Sequence, residues 1–311
     1  IDSGKSAKVI EQYLQSYSDQ FEGKETTLGS IDELRTRMSE TFPLHPQLVD
    51  VLFQSYGASK NYQNTRGILY LLSGVVVRNY ESKDMILVSD IDPQYEEVHD
   101  DLYQLNPDIL ERCLEDMGRI TGEDTELATR LLSSILLYSF HPVQPGCDDG
   151  EILLANLRPC LNANEIYRVL GKLGKTAVYL WSIDGKYVVK DKENLPISVN
   201  FRAERVLKEE GNESAKRKIC DLLKSRFRAI DVYATECDEI VDNRRPKVVI
   251  STKYLEDSTV RDEIFHGKEW RNTIIFIRPK IAGDLTVNGD LLLRAQRIIV
   301  CEHMEKEIIE K

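Results

Sequence analysis

Apolar side chains recur every three to four residues through the first half of the chain, which is the period of a helix with one buried face. In residues 6–21, for example, Ile10, Tyr13, Leu14 and Tyr17 would share one face. The same pattern predicts helices at 6–21, 31–40, 46–56, 66–77 and 126–140, and at 95–117 with a break at Asn106-Pro107. Asn64 or Thr65 is the predicted cap of the helix at 66–77, and Asp124-Thr125 caps the helix at 126–140. Residues 86–88 are predicted to be a short strand or an extended link.

The pattern changes after residue 140. Two further helices are predicted at 151–157 and 163–173, and two strand-like runs at 176–182 and 186–190 flank Asp184-Gly185. An Asp-Gly pair between two such runs is typical of a tight β-hairpin. Three helices followed by a hairpin are the order of elements in a winged helix-turn-helix.

The last third mixes helices and buried-type strands. It contains a long charged helix at 201–227, strands at 247–250 and 273–277, a short helix at 260–265 and a closing helix at 291–309. This alternation predicts a small α/β domain with a partly parallel sheet. The predicted fold is mainly α with an α/β C-terminal part, divided into domains 1–92, 93–197 and 198–311.

Composition and charge narrow the class of protein. The chain has 311 residues and a net charge of −11, with fourteen acidic and four basic side chains in residues 93–161 but four acidic and six basic in 162–198. A strongly acidic chain is not one coated in nucleic acid. The longest apolar runs are too short to span a membrane, and no secretory signal is evident. The six cysteines form no CxxC pair, so reduced thiols in a cytoplasmic protein are expected.

Several residues suggest chemistry that a simpler interpretation also explains. Gly4-Lys5-Ser6 resembles the end of a phosphate-binding loop, but the motif needs an earlier glycine and a later acidic strand for magnesium, so coincidence is the better interpretation. His45, between two prolines, fits a helix cap or a packed ring better than a catalyst. Asp90 and Asp92 fit a metal site or an exposed turn equally well. No catalytic residue and no metal ligand are predicted.

Arg66 stands at the start of the predicted helix at 66–77. A guanidinium there is unfavourable beside the partial positive charge of the helix N-terminus, unless an anion lies between them. The alternative is that Arg66 points into water or pairs with a carboxylate.

Five basic residues could contact phosphates in the predicted winged helix, and they are Arg168, Lys172, Lys175, Lys186 and Lys190. Winged helices also bind proteins, and the neighbouring segment is acidic. Both kinds of partner therefore stay open.

Six segments together resemble one protein family. They are 42–52 (FPLHPQLVDVL), 62–72 (YQNTRGILYLL), 136–140 (LLYSF), 151–159 (EILLANLRP), the hairpin from Tyr179 through Gly185-Lys186-Tyr187, and 270–276 (WRNTIIF). The first two are similar to the lid region of large AAA+-type predicted ATPases, known as domain of unknown function 499. Some members are encoded beside DNA methylases in anti-phage systems.

The resemblance implies a helical AAA+-type lid followed by the winged helix and the α/β domain. Arg66 matches the sensor-2 position, from which an arginine reaches the γ-phosphate of the nucleotide. ATP and magnesium would be held by an ATPase domain upstream of residue 1, and none is expected to bind this chain alone. The parent would be an ATPase, while this chain lacks the Walker motifs and would be inactive by itself.

Three functions follow from these observations. The first is the non-catalytic, C-terminal portion of an ATPase that remodels a protein or nucleic-acid complex, in defence against foreign DNA. Its partners would be the upstream domain, DNA or a DNA-modifying protein, or further copies of itself, and no membrane. The second is a winged-helix module that binds DNA or protein without enzymatic activity. The third is a scaffold whose acidic segment 93–161 docks on a basic partner.

Overall fold

A computed structural model describes residues 3–21, 28–57, 64–227 and 230–310. They form two compact units, Ile1–Ser198 and Val199–Lys311, and the division falls within one helix. The protein is mainly helical with a small sheet in its C-terminal part, which confirms the predicted fold class at that level. The finer domain boundaries, after residues 92 and 197, stay predictions.

The first unit is built from helices and one β-hairpin. Its helices are α1 (Ser3–Phe21), α2 (Ile31–Thr41), α3 (Pro46–Gly57), α4 (Asn64–Asn79), α5 (Glu96–Leu105), α6 (Pro107–Arg119), α7 (Thr125–Ser139), α8 (Asp149–Asn156) and α9 (Ala163–Thr176), and its strands are β1 (Leu180–Ile183) and β2 (Lys186–Val189). The predicted break at Asn106-Pro107 is present, because the Asn106 side chain accepts the Ile109 N–H at 3.2 Å and caps α6.

Helix α7 lies at the centre of this unit. Its residues from Leu131 to Ser139 are all buried, because α7 packs against α3, α6, α8, α9 and β2. Two of its buried hydroxyls serve neighbouring elements: Ser139 Oγ accepts the Val189 N–H at 2.9 Å, and Ser134 Oγ accepts from the Asn156 amide at 3.0 Å. These bonds satisfy polar groups inside an otherwise apolar core.

Three interpretations of the N-terminal sequence are settled by local structure. Gly4-Lys5-Ser6 lies within α1 and has no loop conformation that could cradle a phosphate. Residues 86–88 are not a strand: Ile86 forms one parallel bridge with Leu44, and a 3-10 turn (Val88–Asp90) follows at once. The turn forms because the Asp90 carboxylate accepts the Leu87 N–H at 2.8 Å. Asp90 is therefore buried and not in an exposed turn.

The second unit contains a parallel three-stranded sheet in the order β3 (Asp231–Ala234), β4 (Lys247–Ile250), β5 (Ile274–Ile277). Its helices are α10 (Leu195–Glu209), which includes the division between the units, α11 (Glu213–Lys224), α12 (Asp257–Val260) and α13 (Gly289–Ile309). All four residues of β4 are buried, as expected for the central strand of a parallel sheet. Helices α11 and α13 pack through Ala215, Ile219, Leu292 and Ala295.

The single charged helix predicted over residues 201–227 is wrong. Gly211, with φ of +83°, ends α10, and α11 starts two residues later. A left-handed glycine after a helix is a common stop signal. The helical period on both sides hid the interruption. No helix among the described residues is long and apolar enough to cross a membrane.

Candidate functional site

Helix α9 presents a basic face to solvent. Its apolar residues Ile166, Val169, Leu170 and Leu173 are buried, and this fixes which side faces outward. The outward side carries Arg168, Lys172 and Lys175, all of them exposed. These three positions follow the spacing i, i+4, i+7 and so form one row along the helix.

The hairpin beside α9 has the geometry that its sequence predicts. Asp184 and Gly185 both have positive φ, +50° and +77°, as the two central residues of a tight hairpin turn require. Strands β1 and β2 then pair antiparallel, with Leu180 opposite Val189 and Ile183 opposite Lys186.

A third extended segment joins the hairpin. Between α7 and α8, Cys147 forms an antiparallel bridge with Tyr187 of β2, through N–H···O bonds of 3.0 and 2.8 Å. Gly146 makes this approach possible: its φ is +99°, and a Cβ there would lie 2.6 Å from the Tyr187 carbonyl oxygen. The elements thus follow one another as helix, short strand, helix, helix, strand, strand.

Two basic residues of α9 share one carboxylate. The two terminal guanidinium nitrogens of Arg168, Nη1 and Nη2, donate to Asp124 at 2.8 and 2.7 Å, and Lys172 Nζ lies 2.5 Å from the same side chain. Hydrogen bonds from Arg168 and then Lys172 hold the pKa of Asp124 well below its usual range. Although predicted as the cap of α7, the Asp124 side chain makes no capping bond. Lys175 has no ion pair with any side chain that the structure describes.

The basic residues of the hairpin lie in different surroundings. Lys190 Nζ lies 5.3 Å from the centre of the Trp181 ring, and Trp181 donates its indole N–H to the Lys192 carbonyl at 2.9 Å. A cation over an indole face is attracted to it while one side stays open to solvent. Lys186 is half-buried at the turn end of β2. Trp181 was not singled out from the sequence, although an aromatic residue beside basic ones is a feature of nucleic-acid surfaces.

Acidic residues at the start of α8 lie near Lys186 of the hairpin. Asp148 and Glu151 form a capping box, with bonds of 2.9 Å in each direction. Burial raises the pKa of Glu151, and Lys186 acts in the opposite direction. The first turn of α8 is thus acidic, and the charge of Glu151 lies close enough to Lys186 for the two to interact.

Arg66 lies elsewhere in the first unit. It is the third residue of α4, its side chain is exposed, and it forms no ion pair with another residue that the structure describes. Helix α4 packs mainly on α3 and α5, whereas α9 packs on α7, α8 and β1. The sensor-like arginine and the basic face are therefore on different elements. Tyr62 and Gln63, part of the motif, lie outside the described residues, as do the side chains of the capping candidates Asn64 and Thr65.

His45 has the packed-ring role rather than a catalytic position. It is fully buried, its Nδ1 accepts the Gln47 N–H at 3.3 Å, and its Nε2 lies 3.4 Å from the Tyr17 hydroxyl. A ring that accepts at Nδ1 is neutral. Burial, and secondarily the charge of Arg37, lowers the pKa of His45 to about 3.

Comparisons with known proteins add no family to these observations. No protein-family model matches the chain, and no curated protein or solved structure is significantly similar to it.

Proposed function

We propose that residues 124–192 are a winged helix-turn-helix that contacts duplex DNA through α9 and the β1–β2 hairpin. What carries this proposal is the order of elements from α7 to β2, with the Cys147–Tyr187 bridge, combined with a row of basic residues on the solvent face of the third helix. In winged helices the third helix and the hairpin are the elements that reach the duplex. Lys175, Lys172 and Arg168 would contact phosphates along α9, and Lys186 and Lys190 along the hairpin.

The Asp124 ion pairs do not oppose such contacts. Arg168 and Lys172 have side chains 50% and 60% exposed, and exposed ion pairs contribute little to stability. A phosphate can replace the carboxylate without leaving a buried charge unpaired. Asp124 would thus form ion pairs with Arg168 and Lys172 only while DNA is absent.

The solvent face of α9 also permits close approach. Gly171 and Gly174 lie on its exposed side, with no atom of another residue near the position of a Cβ. Glycine inside a helix costs about 1 kcal/mol relative to alanine, so two of them need a reason that packing within the described residues does not supply. Their lack of side chains would let a duplex lie against the C-terminal half of α9, away from the acidic start of α8.

The test is a titration of fluorescent duplex DNA with this chain, followed by anisotropy at about 50 and about 200 mM salt. Binding is expected to weaken with salt, and Lys175→Ala is expected to weaken it further and reduce the salt slope by about one. Lys208→Ala is the matched control, since Lys208 is an exposed lysine of α10 outside the module.

Asp124→Asn should have the opposite effect, because it releases Arg168 and Lys172 and removes a negative charge from the face. Tighter binding by Asp124→Asn with weaker binding by Lys175→Ala would support the site. Absence of binding at low salt, or an equal loss in Lys208→Ala, would contradict it and leave a protein partner as the better interpretation.

Arg66 supports a second candidate function, that of a nucleotide sensor in the lid of an AAA+-like ATPase. The observation that favours it is an exposed guanidinium in the first turn of α4 with no ion pair among the described residues. A γ-phosphate could lie between this group and the free backbone N–H groups of the helix. The parent ATPase would supply ATP and magnesium from its own domain and use hydrolysis to remodel a protein or nucleic-acid complex, in defence against foreign DNA.

The sensor role is tested in the longer protein that includes the ATPase domain. Arg66→Ala should lower its ATP turnover at least about tenfold, since a charge-assisted bond to the transferred phosphate is lost. Arg78→Ala, at the other end of α4, is the control and should keep turnover within about twofold. Unchanged turnover in Arg66→Ala would exclude this role and leave the DNA proposal intact.

A further inference from the structure

Two cysteines that are distant in sequence meet in the second unit. Cys220 lies on α11 and Cys237 follows β3, and their sulfur atoms are 2.7 Å apart. Both are free thiols. Their separation of 17 positions gives no sequence signal of pairing, since the spacing matches no known metal or redox motif.

Independent contacts hold the two thiols together. The turn after β3 is fixed by bonds from Cys237 N–H and Asp238 N–H to the Ala234 carbonyl, at 3.0 and 2.8 Å. Asp238 in turn accepts the Ala234 N–H at 2.7 Å and pairs with Lys224 of α11, whose Nζ lies 3.1 Å from it. The turn and the helix are thus tied by an ion pair next to the sulfurs, and the meeting of the thiols does not depend on a bond between them.

The other four cysteines have no comparable neighbour. All six lie within the described residues, and no second pair of sulfur atoms there comes within hydrogen-bond distance. Cys113 and Cys147 are buried and face the carbonyls of Leu132 and Tyr187. Cys160 and Cys301 are exposed.

One of the paired thiols can be reached from solvent. Cys237 is exposed and lines a cavity of about 590 Å³. The charged side chains around this cavity are of both signs: Lys216, Arg217, Lys224, Glu213, Asp221, Glu236 and Asp238. Cys220 is buried behind it, 1% exposed. Burial raises the pKa of the Cys220 thiol to about 12, so this sulfur is a poor nucleophile towards molecules in solution at neutral pH. It can react only with a sulfur that is held beside it, which is that of Cys237.

We propose that Cys220 and Cys237 are a redox modification site, at which a small disulfide such as oxidised glutathione converts the two thiols into one intramolecular disulfide. The observations that carry this are the 2.7 Å contact, the single exposed member of the pair, and the cavity that this exposed thiol lines. The site lies in the second unit and does not depend on the proposed DNA contacts of the first.

The exchange takes place in two balanced steps. The Cys237 thiolate attacks one sulfur of the small disulfide, a Cys237–glutathione bond forms, and one glutathione thiolate leaves. Cys220 then gives its proton to water and attacks Cys237 Sγ, so the second glutathione thiolate leaves as the Cys220–Cys237 bond forms. The protein loses two hydrogens and two electrons, and the oxidant is reduced to two thiols.

The bond would link α11 to the connection between β3 and β4. Helix α11 packs on α13 and on β3, so the cross-link joins two parts of the same core. A cross-link that closes a short loop stabilises the folded state mainly by restricting the unfolded chain. The oxidised form should therefore unfold about 5 °C or more above the reduced form.

The experiment treats the whole chain with oxidised glutathione, blocks remaining thiols and maps the peptides by mass spectrometry. The expected result is a 220–237 disulfide, with the protein mass lower by two hydrogens, and its reversal by reduced dithiothreitol. Cys160→Ser and Cys301→Ser, the exposed single cysteines, are the matched controls and should give the same product.

Two variants separate the steps. Cys220→Ser should stop at a stable glutathione adduct on Cys237, and Cys237→Ser should leave Cys220 unmodified. If Cys220→Ser fails to fold, the wild-type peptide map still decides, since it needs no substitution. A wild-type product that keeps glutathione on Cys237, or oxidation of Cys160 or Cys301 in preference to the pair, would overturn the proposal.

Discussion

The first unit holds two aspartates that each bind two cations, and burial makes them different. Asp90 pairs with Arg158 and Lys83, and its side chain is only 3% exposed. Asp124 pairs with Arg168 and Lys172, and the exposure of these three side chains runs from 25% to 60%. Both clusters contain the same chemical groups.

The difference shows what an ion pair can do. Removing one partner of a buried pair leaves a charge without water or counter-charge, which costs several kcal/mol. Removing one partner of an exposed pair leaves a charge that water solvates. The Asp90 cluster is therefore part of the fold, while the Asp124 cluster can exchange its carboxylate for a phosphate.

A neighbouring arginine reinforces the contrast. Arg130 lies beside the Asp90 cluster and donates to Ser89 Oγ and the Asn156 carbonyl, at 3.2 and 3.0 Å. Burial, and then the charge of Arg158, lowers the pKa of Arg130 to about 10. Asp90 thus acts on three neighbouring cations, Arg158, Lys83 and Arg130, and this makes the loss of its charge more damaging.

The largest expected effect is that of Asp90→Asn. It leaves Arg158 without its counter-charge in a buried site, so the free energy of unfolding of the first unit should fall by about 3 kcal/mol. Denaturant unfolding can be followed by Trp181 fluorescence in a Trp270→Phe background, since the chain has two tryptophans. Asp92→Asn, two positions away and half-buried, should cost less than about 1 kcal/mol; equal losses would remove the distinction.

The next effect concerns a buried group that stays neutral. The unfolded chain protonates His45 at its ordinary pKa of 6.5, whereas the folded protein resists protonation down to about 3. Burial of neutral His45 therefore has no proton cost above pH 6.5. As the pH falls from 6.5 towards 3, the free energy of unfolding decreases by about 1.4 kcal/mol per pH unit, because only the unfolded chain takes up this proton. His45→Gln should remove this slope and exposed His303→Gln should keep it, and unfolding from pH 7 to about 4.5 measures both. The same slope in all three proteins would show that His45 does not carry it.

Replacement of Asp116, a buried carboxylate that accepts backbone N–H groups, should have an effect on stability between those expected at Asp90 and Asp124. Asp116, 1% exposed, accepts the N–H groups of Val178 and Tyr179 at 2.8 and 2.7 Å and so anchors the start of β1 to α6. Burial raises its pKa, and these bonds act against that rise. Asp116→Asn should cost about 2 kcal/mol in unfolding free energy, because an amide cannot accept both bonds equally well. Exposed Asp108→Asn should cost under about 0.5 kcal/mol, and a similar loss in both would contradict the role of Asp116.

The smallest expected effect on stability is that of Asp124→Asn. Arg168 and Lys172 become hydrated, so no measurable shift of the unfolding midpoint is expected. The same variant is the one that should bind DNA more tightly. A clear loss of stability would mean that Asp124 is structural after all, and that its cations are not free to change partners.

Much of the helical architecture could be predicted from the sequence. The apolar period, the Asn106-Pro107 break and the Asp184-Gly185 turn are local signals, and each describes the structure within a few residues. Local signals failed where two helices share one period across Gly211. The environment of Asp90 was also missed, because an aspartate beside a turn can be exposed or buried until its long-range partner is known.

The same distinction between local signals and long-range contacts applies to the candidate sites. The sequence determined that basic residues fall on one face of the helix at 163–176, because helical period alone sets that face. Only the tertiary structure decided that Asp124 occupies two of them, that Asp90 is buried with Arg158, and that Cys220 meets Cys237. The physical reason is range: side-chain period and turn chemistry act over a few residues, whereas ion pairing, burial and thiol contact depend on which distant segments the core brings together.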